Sequence, residues 1–439
     1  MSIRDVLLTI TILGSLPICM FRPWIGVLMW SWLAYMNPHR LTWGFASSLP
    51  FSQLVALATI VGFVFSNNRK PFLWSRELLL IGILWVWFAF TSAGAFYPDE
   101  AWLKFVDMSK ILLMAVLVVP LFQDRQKIRI LLLVIAGSLG FYGVKGGLFV
   151  LATGGQFMVL GPPNSFFEAN TELALVLNMA LPLLLYLAKE EPRRWLRRGL
   201  YGAFGLTALA VPFTYSRGGL IGLAVVMVVL FVKARRRVLL IPVLAAAAVA
   251  LVLFAPAQWL ERVQTLENAT EDGSAQLRMM SWQVALSIAG DNPIFGGGFH
   301  VFQNRATYDI YMPNYPRAFG HDAHSIYFNL LGEHGWVGLG LFVVLVVLVT
   351  MKLYHLRRLA RTHPQIEWAA NYAHMLQASI ATYLTTGAFL SVAYFDVAYQ
   401  IFILVPVIHA VAMQQLAEEP AVDTTATPVP AAVPALRRG

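Results

Sequence analysis

Residues 326–351 read IYFNLLGEHGWVGLGLFVVLVVLVTM, an apolar run with one acid and one histidine near its start and no basic residue before Lys352. A helix needs about 20 predominantly apolar residues to cross the hydrocarbon core of a bilayer, and this run meets that length. It lacks the period-2 alternation of a barrel strand, and backbone groups in lipid must bond within their own segment, so a helix is the structure it can form there. Similar runs fall near 51–66, 78–96, 108–122, 128–152, 170–188, 199–214, 218–232, 238–254, 370–393 and 398–415. The 439-residue chain is 58% hydrophobic and 13% charged, against about 25% charged in soluble domains. The fold class is an all-α polytopic membrane protein.

Two short apolar pieces, 6–21 and 24–36, are split by Arg22-Pro23. No small-residue cleavage site follows the first, so it reads as a retained span and not a signal peptide. Two full spans would give thirteen crossings with the amino terminus outside. One broken or hairpin-like unit would give twelve, with both termini inside, and we expect twelve, since proline is tolerated in a membrane helix whose neighbours satisfy the freed carbonyl. The single cysteine, Cys19, excludes an internal disulfide.

The formal charge of +9 is gathered in short segments between the apolar runs. These hold Arg69, Lys70 and Arg76; Arg125, Lys127 and Arg129; Lys189, Arg193, Arg194, Arg197 and Arg198; Lys233 and Arg235 to Arg237; and Lys352, Arg357, Arg358 and Arg361. Such clusters mark cytoplasmic loops and touch anionic lipid headgroups, which argues against a nucleic-acid partner. The loops between them are then external, including 153–169, the turn at Tyr215-Ser216-Arg217 and the long polar insert 255–325. That insert carries four arginines against seven acids. The expected organisation is a transmembrane bundle over 1–254, a partly helical external insert over 255–325, further transmembrane helices over 326–416, and a disordered tail over 417–439, rich in Ala, Pro, Thr and Val. Within the insert, Ser274 can cap a helix to about Ala289 with Leu277, Met280, Val284, Ala285 and Ile288 on one face. Asp291-Asn292-Pro293 ends it, and Gly296 to Gly298 allow a tight bend where the backbone can approach another element or a ligand.

Several polar residues at the external boundary are candidates for chemistry, each with a plainer alternative. Arg217, in Thr214-Tyr215-Ser216-Arg217-Gly218-Gly219, is either a snorkelling arginine or, with Ser216 and the free N–H groups of a helix start, part of a phosphate cradle. Arg278 is either a solvated surface charge or a ligand for an anion. Lys145 lies inside a span, where lysine costs a few kcal/mol and therefore faces a cavity or pairs with an acid such as Glu168 or Glu172. His324, with His321 as the alternative, precedes the 326–351 run; a neutral imidazole there can take a proton, with Asp322 among the acids that could orient it. His334 reads as structural. No span carries histidines at i, i+4 with an acid, and no external carboxylate pair suits Mg²⁺, so no metal and no cofactor is expected.

Ser216-Arg217-Gly218-Gly219, Arg278 with Trp282 and Ala285, Pro293-Ile294-Phe295-Gly296-Gly297-Gly298, and His324-Ser325-Ile326-Tyr327 running to Glu333-His334-Gly335-Trp336-Val337-Gly338 together resemble the O-antigen ligases and their relatives, the O-antigen polymerases and O-oligosaccharyltransferases. The resemblance covers about residues 160–410, including Asn164 and Asn170, and departs at Ser325, where the family often has asparagine. Arg22-Pro23-Trp24-Ile25-Gly26 and Met36-Asn37-Pro38-His39-Arg40 look like a subgroup labelled O-glycosylation ligases, which bears on the acceptor. The resemblance implies a fold similar to other membrane glycosyltransferases using polyprenyl donors. It also implies metal-independent, inverting transfer of a glycan from undecaprenyl diphosphate to a hydroxyl of the lipid A–core, at the periplasmic face of the inner membrane. On this reading Arg217 and Arg278 stabilise the diphosphate, His324 activates the acceptor, and Lys145, Ser216, Asn170 and His321 bind substrate. A protein acceptor or a growing glycan are the same-class alternatives. A lipid-linked sugar transporter is the different-class alternative, and it would place its charges at mid-depth.

Overall fold

The computed structural model describes residues 3–67, 69–233 and 273–418. The apolar run at 238–254, the first part of the insert and nearly all of the tail lie outside these residues. Among the described residues the chain is helical and contains no strand. Six helices are long and apolar enough to cross a membrane: α1 (Ile3–Phe21), α4 (Arg76–Ala93), α7 (Arg125–Thr153), α8 (Asn170–Glu190), α13 (Ile326–Leu359) and α15 (Asp396–Glu418). Two shorter apolar helices, α3 (Phe51–Phe65) and α10 (Arg217–Lys233), accompany them. The remaining helices are α2 (Pro23–Met36), α5 (Pro98–Val116), α6 (Val118–Leu121), α9 (Arg194–Ala210), α11 (Gly273–Asp291), α12 (Arg305–Tyr311) and α14 (Glu367–Gly387). The protein is a polytopic all-α membrane protein.

Contacts between connecting segments define two faces. On the basic face, Lys70 Nζ donates to the Gln123 carbonyl at 2.9 Å, Arg129 pairs with Glu191, Lys352 pairs with Glu77, and the Arg125 guanidinium lies over Trp368. On the opposite face, Phe96 N–H donates to the Gly297 carbonyl, Val159 N–H to the Phe213 carbonyl, and Phe166 stacks on Phe395. The most buried helix, α8, stands between α7, α9, α10 and α14, and its residues Leu173 to Leu184 are almost all enclosed. That enclosure explains an apolar run with no clear amphipathic face.

Three sequence expectations need adjustment. The span near 108–122 is a helix that begins at Pro98, and Asp99 and Glu100 belong to its first turn, where proline and acids suit the free N–H groups and the helix dipole. The amino-terminal pieces form the hairpin-like unit, but its start does not lie on the basic side. Pro23 opens a separate helix, Lys127 Nζ lies over Trp24 at the basic face, and Asp5 Oδ1 accepts the Ala46 N–H at 3.1 Å at the opposite face. Hence α1 and α2 run antiparallel, and the start of α1 sits with the segment 38–48. Gly62 makes this possible, because a Cβ there would stand 2.2 Å from the Met20 carbonyl oxygen, so only glycine lets α3 approach α1 so closely.

The third adjustment concerns 326–351, which is not one uninterrupted helix. Gly335 has φ 68° and ψ −172°, and the chain breaks there. The bend at Gly296 to Gly298 fills the break: Gly297 N–H donates to Gly332 O, Gly298 N–H to Glu333 O, and Trp336 N–H to Pro293 O, each at 2.8 Å. The backbone groups freed by the break are thereby satisfied, as a low-dielectric setting demands. The two glycine motifs are halves of one joint. Gly335→Ala should destabilise the protein by about 1–3 kcal/mol, because alanine pays for the left-handed backbone and its Cβ would meet the Ile294 carbonyl at 2.3 Å. Thermal unfolding in detergent checks this, with Gly340→Ala, where nothing lies within 4 Å of the added carbon, expected to show no loss.

Candidate active site

The turn before α10 is built from its own sequence. Pro212–Thr214 forms one 3-10 turn, and Tyr215 adopts φ 55°, which reverses the chain; its hydroxyl donates to the Gly155 carbonyl at 3.0 Å. Asn170 Nδ2 donates to the Thr214 carbonyl at 2.8 Å, tying the start of α8 to this turn. Ser216 Oγ accepts the Gly219 N–H at 3.0 Å and caps α10. Gly219 lets α10 lie against α8, since a Cβ there would stand 2.6 Å from Ala174 Cβ. Arg217 is therefore the first residue of α10, half-buried on the non-basic face. Ser216 and Asn170, expected to bind substrate, have side chains that hydrogen-bond backbone in the turn that carries Arg217.

The expected helix over 274–289 is α11, with Leu277, Val284, Ala285 and Ile288 buried against Phe302, Tyr308 and Tyr315. Its Ser281 and Trp282 clamp the segment before α13. Trp282 Nε1 donates to the Ala323 carbonyl at 2.7 Å and its ring stacks on Phe328. Ser281 Oγ lies 2.9 Å from the Tyr308 hydroxyl and 3.4 Å from His321 Nδ1. Arg278, one turn earlier on the same face, is carried to the same place. His324 has φ 45°, a backbone held by its N–H donating to Ser391 Oγ at 3.0 Å, and its ring centroid is 4.6 Å from that of His321.

Charge couples these groups into one site. Burial lowers the Arg278 pKa, the positive charge of Arg217 lowers it further, and Glu172 at the start of α8 opposes both. Burial takes His324 down to about 3, aided by His321, Arg278 and Arg317. Arg278 is thus within electrostatic reach of Arg217, Glu172 and His324, and His324 of Arg317; sequence reasoning did not assign Glu172 and Arg317 to the site. Only the charge of Glu172 in a first helical turn hinted at it. The Nε of Arg278 and the Nδ1 of His324 are enclosed and make no hydrogen bond with the described residues.

Two expected partners lie elsewhere. Asp322 does not orient His324: its Oδ1 accepts from Gln303 Nε2, and burial raises its pKa. Lys145 is exposed on α7 in a cavity with Arg4 and Arg40, and neither expected acid pairs with it. Glu168 accepts the Asn164 N–H at 2.7 Å and Glu172 accepts the Thr171 hydroxyl at 2.6 Å. His334 is structural, wholly buried, contacting Thr91 and Tyr394 while Tyr394 also donates to Glu333. Among the described residues, no three His, Cys, Asp or Glu side chains gather as a cation site. The cations in this cluster are guanidinium groups.

Residues 202–343, which hold Arg217, Arg278 and His324, match the family model described as O-antigen ligase. This segment is similar to the O-antigen ligase domain, which supports an O-antigen ligase- or polymerase-type activity in general terms. Residues 3–192 match a family of unknown function (DUF5935). No curated protein matches the chain.

Because the folded-state pKa of His324 lies far below the ordinary value of about 6.5, its imidazole stays neutral from pH 8 down to pH 5, where a free histidine would protonate. Carbethoxylation of His324, read by peptide mass spectrometry, should show no fall in the reactive neutral fraction over that range. Arg278→Gln removes one repelling charge and should move the acid fall-off upward while leaving most of the depression, which comes from burial.

Proposed function

We propose that this protein transfers a glycan from undecaprenyl diphosphate to a hydroxyl of the lipid A–core, at the periplasmic face of the bacterial inner membrane. The observation that carries the reading is the convergence of Arg217, Arg278 and His324 within the family-matched segment. Two positive groups held together repel, and Glu172 opposes that effect at Arg278. A diphosphate beside them would add favourable contacts, since each guanidinium can donate two parallel hydrogen bonds to an anion. The open N–H end of α10 adds further donors.

In the reaction the acceptor oxygen bonds to the anomeric carbon from the face opposite the diphosphate, and the bond from that carbon to the diphosphate oxygen breaks. The electron pair leaves with undecaprenyl diphosphate, and the hydroxyl proton passes to the neutral imidazole of His324, giving inversion. An imidazole with so low a pKa is a weak base alone. The bound diphosphate lies near it and favours its protonated form, so proton affinity rises when substrate is present. His321 stays beside it as a neighbour that disfavours early protonation. The key charges gather at one rim, which favours transfer at a surface over a charged pathway through mid-depth. We place the insert on the periplasmic side and the basic face in the cytoplasm.

His324→Ala, Arg217→Ala and Arg278→Ala should each lower transfer by about 10²-fold or more, the scale of removing one donor to developing charge, while the protein still accumulates in the membrane. Capped lipopolysaccharide at normal levels on a gel in all three variants would sink the mechanism. Chelator should leave the rate unchanged, and a purified reaction offered lipid A–core, protein or glycan identifies the acceptor.

A further inference from the structure

A wholly buried asparagine stands in the middle of α8, the most enclosed of the membrane-spanning helices. Polar side chains in such a helix are costly, and their presence points to a role. Asn178 Nδ2 donates to the Gly219 carbonyl of α10 at 2.8 Å, while its Oδ1 has no hydrogen-bond partner among the described residues. A half-satisfied buried amide is a poorer stabiliser than an apolar side chain of the same size, so bulk stability does not account for it. Its position does. Asn170, Ala174 and Asn178 recur at i, i+4 and i+8, which places them in one stripe down α8. Asn170 holds the Thr214 carbonyl, Ala174 packs on Gly219, and Asn178 holds the Gly219 carbonyl. The two asparagines therefore grip the backbone on either side of Ser216-Arg217. Gly222 of α10 permits the close approach, because a Cβ there would stand 2.9 Å from Asn178 Nδ2 and 2.3 Å from Thr386 Oγ1 of α14.

We propose that Asn178 is a positioning residue for Arg217. Its bond to the Gly219 carbonyl fixes the height and rotation of the first turn of α10, and so where the Arg217 guanidinium stands relative to Arg278. A single anchor at Thr214 leaves the helix start free to pivot; a second anchor beyond Arg217 removes the pivot. Interhelical hydrogen bonds from asparagine act in this way between membrane helices, where small residues bring the backbones together. The catalytic meaning of this joint rests on the reading that Arg217 holds the donor diphosphate, whereas the joint itself stands on geometry.

The test uses the full-length protein in detergent and two readouts. Asn178→Leu and, without added volume, Asn178→Ala each delete the bond. Hydrogen exchange read by mass spectrometry should show the amides of 217–223 exchanging about tenfold faster in both, the scale of losing one interhelical bond. In a purified transfer reaction kcat should fall about tenfold, as expected for a misplaced group. Made in the Arg217→Ala background, the same substitution should lower the residual rate less than about twofold, because a residue that acts through Arg217 then has nothing to position. Ser379→Ala is the control: Ser379 Oγ donates to the Met179 carbonyl at 2.9 Å, an interhelical bond to α8 that does not involve α10, and its loss should move neither readout. Unchanged exchange at 217–223 would overturn the proposal, as would an unchanged kcat or a loss that multiplies in full with Arg217→Ala. Transfer at the wild-type rate by Arg217→Ala would defeat the transfer reading instead, and the exchange data alone would then decide whether Asn178 holds the joint.

Discussion

Three backbone hydrogen bonds seat the bend at Pro293–Gly298 in the break of α13, and the geometry of the rim depends on them. They fix the exit of α11 against the same helix whose entry carries His324. Trp282 then closes the other side by donating to the Ala323 carbonyl. With Trp282 in its middle and its exit both tied to the region of α13, α11 holds Arg278 within electrostatic reach of His324. Beneath the joint, Glu333 accepts the His300 N–H at 3.0 Å and the Tyr394 hydroxyl, while Tyr394 also meets His334 at 2.8 Å. A buried network of this kind is costly when partly satisfied and rigid when complete.

The electrostatics follow from that rigidity. Arg217 arrives on a different helix, held by the cap at Ser216 and by Asn170, so the two guanidinium groups are brought near each other by separate elements. Packing holds two like charges in a partly dry place, at a cost that the protein meets in its resting state. On the transfer proposed above, electrostatic preorganisation would take this form: donors already placed, needing no reorientation when charge develops on the leaving diphosphate.

Much of this was legible in the sequence, for reasons tied to particular residues. Apolar length gave the six helices long enough to span among the described residues, fewer than the expected twelve crossings, and the periodicity of Leu277, Val284, Ala285 and Ile288 gave α11. Arg217, Arg278 and His324 stood out because charge beside a membrane boundary is expensive. What pairing and depth could not reveal was tertiary. Gly335 and the triple glycine looked like separate features until their backbones met. Glu172 and Ser391 come from distant helices, and nothing local marks them as neighbours of the site. The placement of Lys145 also needed three dimensions, because its cavity is completed by Arg4 and Arg40 from an amino-terminal hairpin whose direction a proline alone does not decide.

The most direct measurement is a cryo-EM structure of the protein with an undecaprenyl-diphosphate-linked glycan bound. The account requires the Arg217 and Arg278 guanidinium groups to lie about 3 Å from diphosphate oxygens, with the His324 imidazole facing the anomeric carbon from the acceptor side. A diphosphate bound elsewhere, with either arginine turned away from it, would contradict the account.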